Sequence, residues 1–197
     1  MLNENFVYLG SAITFLGGFS YLWDTLRGKV QPNRVSWLLW SLAPLIAFAS
    51  QIQQHVGIQS LLTFTFGALP ALVFIGSFVN KKSFWKIEKL DIICGMLSLL
   101  GLVLWYITQV GNVAIFFSIL ADGLASFPTL VKSFKEPDTE NSHIFFANTI
   151  SAVITLFTIK TWNFQTYGFP MYMIVMMGAI AVLIQFKLGK LLFRYTK

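Results

Sequence analysis

The sequence predicts an all-α integral membrane protein of seven transmembrane helices. Two parallel three-helix repeats are joined by an inverting linker helix (3+1+3), with the N-terminus outside and the C-terminus inside. Three observations predict it. Of the 197 residues, 56% are hydrophobic and 11% charged, whereas roughly a quarter of a soluble domain is charged. The apolar residues fall in seven runs near the ~20-residue length that spans a bilayer. The stretch Tyr21 to Ser41, YLWDTLRGKVQPNRVSWLLWS, returns in altered form from Ser126 as SFPTLVKSFKEPDTENSHIFFAN.

The first run, Phe6 to Thr25, follows MLNENF, which contains Glu4 and no basic residue. No small-x-small cleavage site follows it, so it reads as a retained helix rather than a signal peptide. Val35 to Ile52 and Ile58 to Val79 complete residues 1–80 as the first repeat. Residues 81–110 hold a basic cytoplasmic turn and the linker helix, Leu90 to Ile107. Val113 to Val131, Ile144 to Ile159 and Tyr167 to Phe186, with a basic cytoplasmic tail, make residues 111–197 the second repeat. The connections are too short to hold a soluble domain, so the function belongs in or across the bilayer.

Orientation follows from the tendency of Lys and Arg to stay on the cytoplasmic side. With the first turn placed inside, Arg27, Lys29, Arg34, Lys81, Lys82, Lys86, Lys89, Lys132, Lys135, Lys187, Lys190, Arg194 and Lys197 all fall inside, and Lys160 alone falls outside. The net charge of +6 and pI near 9.5 are therefore a topology signal and not a nucleic-acid surface. In the two copies of the repeated stretch, Thr25-Leu26 aligns with Thr129-Leu130 and Ser36-Trp37 with Ser142-His143, with Pro32 and Pro137 between them. For the second triplet of helices to run parallel to the first, a single helix must intervene, and the fourth run supplies it. Parallel repeats of this kind are one way to build a transporter with its site near the midplane.

Asp122 is the most informative single residue. It sits about ten residues, or roughly 15 Å, from either end of the fifth run, where a carboxylate costs around 2.5 to 3.5 kcal/mol on insertion scales. Ala114, Ser118, Asp122, Ser126 and Thr129 form a small and polar stripe, while Phe116, Leu120, Leu124 and Phe127 take the opposite face. Gly10, Thr14, Gly18, Leu22 and Thr25 form the matching stripe on the first run. Close packing by small residues explains both stripes. A central path lined by both, with Asp122 facing Gly18 and binding a proton or a polar group of a solute, is the functional alternative. Asn148 is a candidate partner for Asp122 or for the solute, and equally an interhelical bond. Trp40, one turn deeper than Trp37, and Phe146 are placed to stack on a sugar ring or close a gate. Trp37 itself is expected in the interfacial aromatic belt.

Ser60, Thr63, Gly67 and Pro70 make a further polar line on the third run, which puts Thr63 among the solute-binding candidates. Pro44, Pro70 and Pro170 can kink their helices and free carbonyls. Tyr172 and the methionines around it are expected to pack against lipid or core, with an adaptable pocket wall as the alternative. Asp24 is expected to pair locally with Arg27, or else to tether the gate. Asp91 is placed at the membrane edge beside Lys89, and Glu136, Asp138 and Glu140 are expected to be solvated in the turn. Cys94, the only cysteine, is expected to be buried as a small hydrophobe. His55 and His143 lie too far apart to form a metal site. No nucleotide loop and no recognisable nucleophile with a base is present, so an enzyme is not expected and no cofactor is called for.

The 3+1+3 order, the outside N-terminus and the cytoplasmic turn after the first helix of each repeat resemble the SWEET sugar carriers and the wider PQ-loop superfamily. That superfamily's Pro-Gln pair would fall at Asp24-Thr25 and Pro128-Thr129, where the second copy keeps the proline. The prolines that SWEET carriers place in the first two helices of each repeat are matched by Pro44 and Pro128. The resemblance implies a sugar carrier working by alternating access, in which two three-helix units rock about a midplane pocket. Its solute would meet Asp122, Ser118, Asn148, Trp40, Thr14 and Thr63, and its gate and hinge would use Asp24, Pro44, Pro128 and Phe146. The lone acid favours the alternative of proton-coupled movement of an amino acid or other small polar solute. A receptor or assembly protein that carries nothing is the remaining class. The short loops and the lack of a targeting signal fit a bacterial inner membrane, with a homo-oligomer left open.

Overall fold

The computed structural model describes residues 2–3, 5–53, 59–108 and 111–195, excluding the side chains of 47, 50–53, 59–63, 108, 111, 114 and 192–195. All regular structure among these residues is helical. The elements are α1 (Phe6–Leu26), α2 (Arg34–Gln53), α3 (Gln59–Gly76), α4 (Lys89–Thr108), α5 (Gly111–Lys135), α6 (His143–Thr158), α7 (Phe164–Phe186) and α8 (Leu188–Tyr195), with a 3-10 turn at Pro137–Thr139. Among the described residues, four helices are long and apolar enough to cross a membrane: α1, Lys89–Ile107 of α4, Ile115–Lys135 of α5, and α7. Shorter apolar helices cover Arg34–Ile46, Phe64–Gly76 and His143–Thr158. Leu16, Phe19, Ile75, Ile93, Phe116 and Val175 all point outward. An apolar outer surface of this extent suits lipid rather than water.

The helices pack in a crossed arrangement. α3 lies against both α1 and α2, and α7 against both α5 and α6; α1 runs along α6, α2 meets α5, and α4 packs on α5 and α2. Small residues set the closest of these approaches. At Gly17 an added Cβ would come within 2.7 Å of Ala147 Cβ and 3.1 Å of Ile144 Cα, and at Gly10 within 2.7 Å of Ser151 Oγ. The small stripe of α1 thus faces α6. On α4, Cys94 is buried, Ser98 Oγ donates to the Ala121 carbonyl at 2.7 Å, and Gly101 lets the helix approach Ala121.

Cross-helix hydrogen bonds gather the basic turns at one end of the bundle. Asn80 Nδ2 donates to the Leu26 carbonyl at 3.1 Å. Arg34 donates to the Ser77 carbonyl at 2.7 Å and stacks 3.9 Å from the Phe78 ring. Ser142 Oγ donates to Gln185 Oε1 at 2.9 Å. Pro32 and Pro137, the prolines aligned in the repeated stretch, are both fully buried there. Asp91 lies in the first turn of α4. It is buried, accepting from Asn33 Nδ2 at 2.8 Å and from the Glu88 backbone at 2.7 Å, because two N–H donors replace the water a carboxylate needs.

Two boundaries differ from the sequence expectation. α7 starts at Phe164 because Asn163 and Thr166 form a reciprocal capping box, with Thr166 N donating to Asn163 Oδ1 at 3.1 Å and Asn163 N to Thr166 Oγ1 at 3.2 Å. The basic tail is a helix in its own right. Lys187 takes a left-handed conformation (φ 49) that ends α7, and α8 turns back onto α5. Lys187 Nζ lies 2.6 Å from Asp138 Oδ1, and Lys190 donates to Oδ2. Hydrogen bonds from these two ammonium groups hold the Asp138 carboxyl down at about 2.

Candidate functional site

α1, α2, α3, α5, α6 and α7 enclose a cavity of about 390 Å³, within the roughly 300–1,000 Å³ of small-molecule sites. Its walls are mainly apolar, with Leu69, Ile144, Met173 and Met177 beside Phe66 and Phe169. Four of the expected solute-binding residues meet here: Thr14, Trp40, Asn148 and Asp122. Pro44, Pro70 and Pro170 also line it, each at a helix position where proline removes an N–H and loosens the backbone ladder. Gly18 lines the same cavity as Asp122, as the paired stripes predict.

Asp122 is held by neighbours other than the one expected. Tyr172 Oη donates to Asp122 Oδ2 at 2.7 Å and Ser126 Oγ donates to the same oxygen at 3.2 Å. Trp40 Nε1 donates in turn to Ser126 Oγ at 3.3 Å. Tyr172, expected to pack apolarly, is therefore the principal donor to the acid. Asn148 lines the cavity without bonding to Asp122, because the acid is already served from α7 and from its own helix. Both bonds fall on Oδ2 rather than Oδ1.

Thr14 Oγ1 and Trp37 Nε1 are buried with no hydrogen-bond partner in the protein, and both residues line the cavity. Trp37 is thus not an interfacial belt residue. It is 3% exposed, packed 4.5 Å from the Tyr21 ring and edge-on to Trp40 at 5.3 Å. With Phe145, these three rings form a cluster at the basic end of the cavity. Phe145, not Phe146, faces the cavity; Phe146 lies one position round α6 and packs behind the core.

The remaining candidates scatter. Ser118 faces a second cavity, lined by α2, α3, α4, α5 and α7, which Asp122 also lines; its hydroxyl donates to its own helix at Ile115. Pro128 is buried within α5, which runs through it unbroken, and lies outside both cavities. The Thr63 side chain lies outside the described residues. Asp24 does not pair with Arg27, whose guanidinium sits 4.5 Å over the Trp23 ring. It accepts from Asn141 Nδ2 at 2.6 Å and lies 3.6 Å from Lys29, so it ties the first basic turn to the second.

Below the rings lies a constellation that the sequence did not announce. Glu140 is buried, not solvated. Its Oε2 accepts from Tyr21 Oη at 2.5 Å, and its Oε1 lies 2.6 Å from Lys132 Nζ. Lys132 also donates to the Gln31 carbonyl and sits 4.8 Å from the Trp85 ring. Lys132 counts toward topology in the sequence, and the one clue to its burial was its position a full turn before the end of α5. Comparison with family models, with curated proteins and with solved structures gives no match.

Proposed function

We propose that this chain is a small-solute membrane carrier working by alternating access. α1 to α3 and α5 to α7 act as parallel repeats with α4 as the inverting linker, and the basic end faces the cytoplasm of a bacterial cell. One observation carries the proposal: six helices, three from each half, converge on one cavity that holds a single carboxylate. Such convergence suits a site that two repeats expose to either side in turn. A structural bundle would be expected to fill this volume with side chains.

The first substrate class is a neutral, hydroxylated solute of sugar-like size. Aromatic walls, the Asp122 carboxylate, the Thr14 hydroxyl and the Asn148 amide offer apolar contact together with donors and acceptors. The placement of Asp122 favours a second reading, proton-coupled movement of an amino acid or similar solute, because a hydrogen-bonded acid inside a bundle is a common proton site in carriers. Uptake and counterflow in proteoliposomes, with sugars and amino acids and with or without a pH gradient, test both. Flux indifferent to the gradient removes proton coupling. No flux of any solute removes the carrier and leaves a receptor or assembly protein.

A further inference from the structure

Lys132 and Glu140 are 1% and 7% exposed, and Tyr21 is fully buried. Bringing such a pair out of water is costly for each ion, so a buried ion pair is weak support for stability. It is better explained as a device that selects one arrangement of the chain over another. The partners come from four separate places: Tyr21 from α1, Gln31 from the turn before α2, Lys132 from α5, and Glu140 from the turn before α6. Each turn also bonds the other directly, Gln31 N donating to the Thr139 carbonyl at 2.8 Å.

The position is as informative as the chemistry. Tyr21 belongs to both layers, since its ring packs on Trp37 and Phe145 at the floor of the cavity and its hydroxyl reaches Glu140 below. Tyr21 thus links the ring floor to the ion pair. The arrangement is also one-sided. Counting from the aligned Thr25 and Thr129, Lys132 stands where the first copy has Gly28, which has no side chain to offer and turns the backbone at φ 71.

We infer that Lys132, Glu140 and Tyr21, with the Gln31 carbonyl, form a latch that keeps the basic end of the cavity shut and must break for it to open. This rests on the carrier reading, so its test should not need flux. In a Cys94→Ser background, Ala152→Cys places one thiol in the cavity wall, to be alkylated by a membrane-impermeant maleimide added from the basic side of proteoliposomes. Lys132→Met and Glu140→Gln should each speed alkylation by about tenfold, within the usual span of conformational coupling. Should the charge variants fail to fold, Tyr21→Phe removes one hydroxyl and should still raise the rate severalfold. Rates equal to the parent in every folded variant overturn the latch. Faster alkylation without flux of any solute keeps the latch and sinks the carrier; unchanged alkylation with normal flux does the reverse.

Discussion

Tyr172 and Ser126 both donate to Oδ2 of Asp122, so the two substitutions Asp122→Asn and Tyr172→Phe separate charge from positioning. An amide keeps the shape of the carboxylate and loses its charge-assisted bonds, which are worth about 1.5–3 kcal/mol each. Asp122→Asn should therefore lower uptake of a bound solute about tenfold or more and flatten any response to a pH gradient. Tyr172→Phe removes one of two donors and should cost about 1 kcal/mol, or about fivefold. Parent-like uptake by both variants in proteoliposomes would make the acid a packing feature. The inward placement of Asp122 was legible because a carboxylate in an apolar run has few places to go. Its donor was not, since the phenol of Tyr172 looks in the sequence like one more apolar residue among methionines, and only the packing of α7 on α5 brings the two together.

At the scale of the element, close approach decides the outcome. Gly17 meets Ala147 and the backbone at Ile144, so Gly17→Leu overpacks the α1 to α6 contact. It should cost about 1–3 kcal/mol, read as a lower thermal midpoint in detergent, while Gly123→Ala, whose Cβ would find only ordinary contacts at 3.7 Å with Tyr172, should leave the midpoint near the parent value. α8 makes a prediction about pH. Asp138 is held at about 2 in the fold, below the ~3.9 of a free aspartate, so its bonds to Lys187 and Lys190 contribute fully above about pH 4 and fade as pH falls toward 2. The three side chains are about half exposed, so salt should weaken the contact as well. Limited proteolysis after α7 should speed up in acid for the parent and already at neutral pH for Asp138→Asn; equal rates at neutral pH would show that α8 docks without this contact. The apolar helices were legible from hydropathy, whereas α8 was not. Its eight residues are too few to signal a helix against a basic tail, and the left-handed Lys187 that starts it leaves no mark in the sequence.

For the whole molecule, one proposed orientation follows from the gathered basic turns. Single cysteines at Lys82 and at Lys160, in a Cys94→Ser background, should react with impermeant maleimide from opposite faces of right-side-out vesicles, Lys160→Cys from outside. Reaction of both from one face would refute the seven-span order. The contact of α1 with α6 then bears on how such a carrier would move. Glycine at positions 10 and 17 brings these two helices, one from each half of the chain, nearly backbone to backbone. A seam that tight slides or splits with difficulty, so rocking of the two repeats would pivot where α1 meets α6.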